Sequence, residues 1–113
     1  WQGIRKAYFK DDQIEEATVV RNNKFTNREG NIRHMLNLAL SKQFPDTALI
    51  QKVTVPTLIV WGKQDKIVPV EHAEKFHRDI KNSRVIYFDP CGHVPMIEVP
   101  ELLTPEIRKF FKE

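Results

Sequence analysis

Features of secreted, membrane-spanning and nucleic-acid-binding proteins are scarce in this sequence. A single cysteine, Cys91, excludes an intrachain disulfide and favours a reducing compartment, so a cytoplasmic location is expected. The longest apolar run, residues 56–61, is far too short to cross a bilayer. The 18 basic residues are interleaved with 15 acidic ones and form no Lys/Arg run, which argues against a nucleic-acid partner. The net charge of +3 therefore indicates a mildly basic, solvated surface.

The first residues also lack the features of a natural start. Trp1-Gln2-Gly3 contains no initiator methionine, and no basic or apolar segment of a signal peptide follows it. We therefore expect a truncated N-terminus. With 113 residues, of which 41% are hydrophobic and 29% charged, the chain has the size and composition of one small folded domain.

The first 45 residues are expected to be helical. Residues 12–15 have the spacing of a capping box, which predicts Asp12 as the N-cap of a helix. That helix would turn one apolar face inward. The residues of this face are Ile14, Ala17 and either Val20 or Arg21.

A second helix is indicated by a longer apolar stripe at helical spacing. Gly30 and Asn31 would break and cap the chain before it, and Pro45-Asp46 would end it. The stripe consists of Ile32, Met35, Leu36, Ala39, Leu40 and Phe44.

Residues 53–113 are expected to alternate between strand and helix. The continuous apolar run at residues 57–61 predicts a strand buried on both faces, as in a parallel sheet. A helix opened by Pro69 and a second strand at residues 84–88 would complete a right-handed strand–helix–strand unit. The side of the helix that faces the sheet would carry Val70, Ala73, Phe76 or His77, and Ile80.

A last helix would follow and carry Ile107, Phe110 and Phe111 inward. We expect Pro105 in its first turn with Thr104 as cap, because a proline deeper in a helix costs ~3 kcal/mol.

Two loops follow the carboxyl ends of the predicted strands, where open parallel sheets place their functional groups. The first contains Asp65 and the second contains His93. Adjacent strands lie ~4.8 Å apart, so a carboxylate on one loop can reach an imidazole on the next. The carboxylate would accept a hydrogen bond from one ring nitrogen and stabilise the imidazolium that forms when the other nitrogen takes a proton. The pair is therefore suited to acid–base catalysis.

Longer segments around these two residues carry a family resemblance. They are VPTLIVWGKQDKIVP at residues 55–69 and CGHVPMIEVPE at residues 91–101. The first resembles the strand and acid loop of α/β-hydrolases, and the second resembles the histidine segment of that family and its closing helix. The acid precedes the histidine, as in the family order of nucleophile, acid and histidine.

The resemblance implies the C-terminal part of a doubly wound, mostly parallel α/β-hydrolase sheet. Residues 49–113 would belong to the core, and residues 1–48 resemble the end of the helical cap of esterase- and lipase-like members. Asp65 would be the acid and His93 the base of a hydrolase that acts on small-molecule, ester-type substrates with neither cofactor nor metal. Three nearby residues would contact the substrate: Ile67, Val94 and Met96.

The nucleophile of the family is missing. It lies in a Gly-x-Ser-x-Gly turn, and neither Ser41 nor Ser83 has glycines at that spacing. The oxyanion hole also lies upstream, so the expected partner is the missing N-terminal half of the fold, and the chain alone should be inactive. An aspartate nucleophile would favour epoxide or haloalkane hydrolysis, and carbon–carbon bond hydrolysis is another chemistry of the family. A non-catalytic ligand-binding protein of this fold and a complete interaction domain are the remaining alternatives.

Some other residues compete for functional roles. Asp89 is a rival acid in the second loop, although it lies outside the acid position of the motif. Cys91 could be a nucleophile, but we expect a small buried residue, because catalytic cysteine and histidine usually come from distant sequence. His72 and His77 are five residues apart, the wrong spacing for joint metal ligation on a helix. With His34, they are expected to be surface or packing residues.

Overall fold

A computed structural model of the chain describes residues 2–41 and 47–112, which form helices and a parallel sheet of two strands. The helices are α1 (Gln2–Ala7), α2 (Glu16–Thr26), α3 (Asn31–Leu40), α4 (Glu71–Asp79), α5 (Pro95–Glu98) and α6 (Pro100–Phe110). The strands are β1 (Thr57–Gly62) and β2 (Ser83–Phe88), and 3₁₀ segments cover Asp11–Gln13 and Thr47–Lys52. Within these ranges, every helix is too short or too polar to span a membrane.

The sheet joins β1 and β2 in parallel, with Gly62 opposite Phe88 at their carboxyl ends. Helix α4 connects the strands and packs against them. Ala73 of this helix and Ile80, directly after it, are buried. The predicted strand–helix–strand unit is confirmed. Because the last residues of the strands are paired, the two loops that follow leave the sheet at the same edge.

Strand β1 is less buried than its sequence predicts. The apolar run predicts burial on both faces, but only Ile59 and Gly62 are buried, whereas Leu58, Val60 and Trp61 are half-buried. In the described part of the chain, β1 pairs with β2 on one side and with no strand on the other. The composition of β1 therefore suits the interior of a larger sheet.

A small core lies at the carboxyl end of β2. Phe88 of that strand, Cys91 of the second loop and Leu103 of α6 are buried together. Burial of a side chain the size of Phe or Leu contributes ~1.5–3 kcal/mol. The prediction that Cys91 is a small buried residue is confirmed. Since Cys91 is close in sequence to His93, this core anchors the loop that holds the histidine.

The last helix differs from its prediction. It begins at Pro100, so Pro105 lies inside α6 and Thr104 is not its cap. Pro100 is tolerated at the first position because no helical partner exists there for a backbone N–H. Pro105 has no N–H to donate to the backbone carbonyl one turn earlier in the helix. Because Pro105 is exposed, water can form a hydrogen bond with that carbonyl instead.

The inward face of α6 also differs from its prediction. Leu103 is the buried residue of this helix, whereas the side chain of Phe111 is 80% exposed. Ile107 is exposed as well, and Phe110 is half-buried. Because α6 begins at Pro100, its buried residue lies in the N-terminal half of the helix.

Helix α2 begins later than the capping-box spacing predicts. Asp12 lies inside a 3₁₀ segment instead of capping a helix, and α2 starts only at Glu16. The later start turns Val19 inward, whereas Val20 is exposed. Val19 and Ile4 of α1 line the same cleft.

Helix α3 begins where it is predicted but ends at Leu40, before the predicted stop, with Ser41 in an extended conformation. Gly30, with a φ of 86°, precedes it in the left-handed conformation that glycine favours. The Asn31 side-chain amide donates to the carbonyl of Phe25 at 2.6 Å, which joins the start of α3 to α2. The predicted stop at residues 45–46 and the stripe residue Phe44 lie outside the described residues. Four stripe residues whose side chains are described are exposed: Ile32, Met35, Leu36 and Leu40.

Candidate active site

Backbone hydrogen bonds hold the two loops side by side. The N–H of Lys63 donates to the carbonyl of Phe88 at 3.0 Å, and the N–H of Gln64 donates to that of Cys91 at 2.9 Å. The Gln64 side-chain oxygen accepts from the N–H of Cys91 at 2.8 Å. The role of Gln64 in joining the loops was not predicted from the sequence, although its position beside Asp65 placed it in the first loop. These bonds fix the distance between the two loops.

Glycines allow the loops to approach this closely. A Cβ atom on Gly62 would lie 2.0 Å from the carbonyl oxygen of Gly92, and it would also meet the backbone of Cys91. Since the obstacle is backbone, no rotation of a side chain could relieve it.

The Gly62→Ala substitution is therefore expected to destabilise the fold at or above the upper end of the ~1–3 kcal/mol typical of overpacking. Gly3→Ala is the matched control, because a Cβ there meets no atom within 4 Å. Chemical denaturation of both variants measures the effect. An unchanged unfolding midpoint for Gly62→Ala would contradict the close approach.

Asp65 is held by hydrogen bonds on both carboxylate oxygens. Its Oδ1 accepts from the backbone N–H groups of Ile67 at 2.8 Å and Val68 at 2.9 Å, the turn that an aspartate favours after a strand. Its Oδ2 lies 2.7 Å from Nδ1 of His93. Burial alone would raise the pKa of Asp65, but the hydrogen bonds from His93, Val68 and Ile67 outweigh it and hold the pKa below its usual range. Asp65 is thus a negative charge with a fixed orientation.

His93 lies where the predicted pair requires it. An ionised carboxylate can only accept hydrogen bonds, so Nδ1 of His93 carries the proton that is donated to Asp65. The other ring nitrogen, Nε2, is then left with a free lone pair. The imidazole is 38% exposed, and it lines a cavity of about 90 Å³ together with Trp61, Asp65 and Pro95. The imidazole therefore has one nitrogen oriented by Asp65 and the other available.

The rival acid, Asp89, does not contact His93 in the described structure. Its carboxylate accepts from the Gln64 side-chain amide at 2.8 Å and pairs with Lys63 at 3.2 Å. These two partners lower its pKa. Asp65, and not Asp89, occupies the position beside the imidazole.

Cys91 is unsuited to nucleophilic attack. Its side chain is fully buried. Burial, and next the neighbouring carboxylate of Glu98, raise the pKa of the thiol to about 12, so the thiolate is not formed at neutral pH. Cys91 therefore serves packing.

The remaining histidines are not gathered into a metal site. His77 contacts the hydroxyl of Ser83 at 2.9 Å through Nδ1. Within residues 2–41 and 47–112, no group of three or more His, Cys, Asp or Glu side chains is arranged to hold a metal ion.

The predicted substrate contacts lie around the pair in different settings. Ile67 is exposed and its N–H is bound to Asp65, whereas Val94 is half-buried directly after His93. Met96 is 60% exposed on α5. Their contact with a substrate stays a prediction.

Glu98 is the functional candidate that sequence analysis missed. It is buried, and its carboxylate accepts hydrogen bonds from the backbone on both sides of His93. The only signal was its position within the segment that follows His93, where a glutamate on a short helix looks like an ordinary surface residue.

Comparison with known proteins assigns the fold to a family. Residues 1–100 match the family model of the alpha/beta hydrolase fold. The chain belongs to the α/β-hydrolase family. The predicted fold class is confirmed, and the division at residues 48 and 49 stays a prediction.

Two hydrolases are similar to the chain in sequence. It is 30% identical over 104 residues, 92% of the chain and 32% of the relative, to the uncharacterized hydrolase YugF of Bacillus subtilis (strain 168). It is 53% identical over 58 residues, 51% of the chain and 20% of the relative, to 2-hydroxy-6-oxo-6-(2'-aminophenyl)hexa-2,4-dienoic acid hydrolase of Metapseudomonas resinovorans.

A solved structure matches nearly the whole chain. The crystal structure of a serine hydrolase involved in carbazole degradation, CarC, is similar with a TM-score of 0.80 and 31% identity, over 98% of the chain and 45% of CarC. Lipases and esterases are also among the matching proteins. The chain spans about a third or less of the curated relatives described above and less than half of CarC.

Proposed function

We propose that this chain supplies the acid and the base of a hydrolase that uses a nucleophile–acid–histidine triad. The observation that carries the proposal is the 2.7 Å contact between Asp65 Oδ2 and His93 Nδ1, with the carboxylate held by two further backbone N–H groups. Such a pair orients the imidazole and stabilises its positive charge. The nucleophile would belong to the longer protein that this proposal implies, in the missing N-terminal half of the fold.

The chemistry follows from the two ring nitrogens of His93. Nε2 takes the proton of the nucleophile as it attacks a carbonyl carbon, and the Asp65 carboxylate stabilises the imidazolium formed. The proton then passes to the leaving group, and a covalent acyl intermediate remains on the nucleophile. A water molecule, activated by the same imidazole, hydrolyses that intermediate. The proposal therefore assigns proton transfer to His93 and its orientation to Asp65.

The proposed substrate is a carboxylic ester of small or medium size. The lipases among the matching proteins, 41% identical over 51 residues and 40% identical over 62 residues, support this class. Ile67, Val94 and Met96 would contact the acyl part, because they lie in the same loops as the pair or directly after them.

A second substrate class is favoured by one specific observation. The relative with 53% identity is named as a hydrolase of a 2-hydroxy-6-oxo-hexa-2,4-dienoic acid. Hydrolysis of a ketone of this kind breaks a carbon–carbon bond. It needs the same acid–base pair, but the residues that line the substrate pocket would differ from those of an esterase.

Kinetics of the longer protein on the two substrate classes test the proposal. We expect a short-chain chromogenic ester to be hydrolysed with kcat/KM of ~10⁴ M⁻¹s⁻¹ or more, and faster than an aromatic 2-hydroxy-6-oxo-hexa-2,4-dienoic acid. The reverse order would support the second class. Binding of either compound without turnover would contradict the proposed function and indicate a ligand-binding protein.

A further inference from the structure

Glu98 stands out because it is a carboxylate buried next to the base of the proposed triad. Its side chain belongs to α5, and the residue is only 7% exposed. A buried carboxylate is stable only when its oxygens receive hydrogen bonds. Each oxygen of Glu98 receives them from a different part of the chain.

One oxygen, Oε1, holds the backbone on both sides of the histidine. It accepts from the N–H of Gly92 at 2.9 Å and from the N–H of Val94 at 3.3 Å. The residue between them is His93, whose own N–H donates to the carbonyl of Ala7 at 2.7 Å. All three consecutive N–H groups at the histidine therefore have fixed acceptors.

The other oxygen, Oε2, reaches the segment that follows α1. It accepts from the backbone N–H of Phe9 at 2.7 Å, across 89 residues of sequence. The two segments are in close contact here, since a Cβ atom on Gly92 would lie 2.7 Å from the nitrogen of Phe9 and 2.8 Å from the oxygen of Ala7. Glu98 is thus a bridge between residues 7–9 and the histidine loop.

We infer that Glu98 is a positioning residue for the proposed reaction: it holds the backbone around His93 against the segment at Phe9, so that the imidazole stays aligned with Asp65. This inference rests on the proposed function for its kinetic consequences. Glu98 itself contacts no reacting atom in this assignment, and it acts only through the position of His93.

The chemistry of the bridge requires a carboxylate. A glutamine has one accepting oxygen and one NH₂ group, which can only donate. It can therefore satisfy either Phe9 or the pair of Gly92 and Val94, and on the other side two donors would face each other. Glu98→Gln thus removes one half of the bridge with almost no change in size.

In the longer protein, Glu98→Gln is expected to lower kcat for the ester by roughly tenfold with an unchanged KM, the effect of losing one charge-assisted hydrogen bond. Glu101→Gln is the matched control, because it makes the same chemical change on an exposed residue of α6 and should leave kcat unchanged. Glu98→Ala removes both halves of the bridge, and the resulting shift of the imidazole is expected to lower kcat by ~10²-fold. If Glu98→Ala does not fold, Glu98→Gln decides the inference.

A second readout needs no activity. The proton between His93 Nδ1 and Asp65 gives a low-field NMR signal, identified by its loss in His93→Ala. We expect this signal to shift or broaden in Glu98→Gln and to be unchanged in Glu101→Gln.

An unchanged kcat together with an unchanged signal in Glu98→Gln would overturn the inference. So would a rise in KM alone, which would place Glu98 in substrate binding. If the unaltered protein hydrolyses no substrate, the proposed function fails, and the NMR comparison by itself still decides whether Glu98 positions His93.

Discussion

Replacing Asp65 by asparagine in the longer protein is expected to lower kcat by up to ~10⁴-fold and to spare the fold. The asparagine oxygen can keep the bonds from Ile67 and Val68, which leaves its NH₂ group facing Nδ1 of His93. Since an NH₂ group only donates, Nδ1 loses its proton and Nε2 gains it. The imidazole is then in the tautomer that cannot take a proton from the nucleophile. Steady-state kinetics with a chromogenic ester and circular dichroism measure both parts of this expectation.

Two further variants make the Asp65 experiment decisive. His93→Ala should be at least as damaging, and the double variant should be no worse than His93→Ala, because the residues act as a unit. Asp89→Asn is the matched control, since it makes the same change on the exposed rival acid and should leave kcat nearly unchanged. Near-normal turnover by Asp65→Asn would show that the acid comes from another position.

The 113-residue chain by itself is expected to show no ester hydrolysis and to self-associate. Its strand β1 has an unpaired edge within the described sheet, and an unpaired edge is a template for association. Helix α3 adds an apolar surface, where Met35, Leu36 and Leu40 are 60%, 57% and 78% exposed. Apolar groups that stay in contact with water contribute nothing to folding, so low stability is expected as well.

Size-exclusion chromatography and chemical denaturation of the isolated chain test this expectation. Leu36→Glu should reduce self-association if the α3 surface drives it, whereas Glu29→Gln, on the loop before α3, should not. A monodisperse monomer that unfolds cooperatively with several kcal/mol of stability would contradict the prediction. Ester hydrolysis by that monomer, abolished by His93→Ala, would mean that the chain holds a nucleophile of its own.

The sequence by itself determined the strand–helix–strand unit and the pair of Asp65 and His93. The unit depends on short-range patterns: a continuous apolar run, a helix with one apolar face, and polar residues directly after each strand. The choice of Asp65 over the rival Asp89 depended on the resemblance of residues 55–69 to the acid loop of α/β-hydrolases. Parallel pairing then brings the two carboxyl ends to one edge, as Gly62 opposite Phe88 shows. The predicted contact between Asp65 and His93 is present at 2.7 Å.

The tertiary structure decided where α2 and α6 begin. The capping-box spacing at Asp12 is a local signal that a 3₁₀ segment can override, and Val19 is then the buried residue of α2. Similarly, the sequence predicts Pro105 in the first turn of the last helix, whereas α6 begins at Pro100. Pro100 was selected because Leu103 packs into the core with Phe88, and Pro105 remains exposed.

The tertiary structure alone also revealed the bridge at Glu98. A glutamate on a short helix has the same sequence signature whether it is solvated or buried, because burial depends on what packs over it. Here the covering segment contains Phe9, 89 residues away in the chain, and its N–H donates to the carboxylate. Local patterns cannot contain a contact between residues so far apart, and so only the folded chain could place Glu98 beside the backbone of His93.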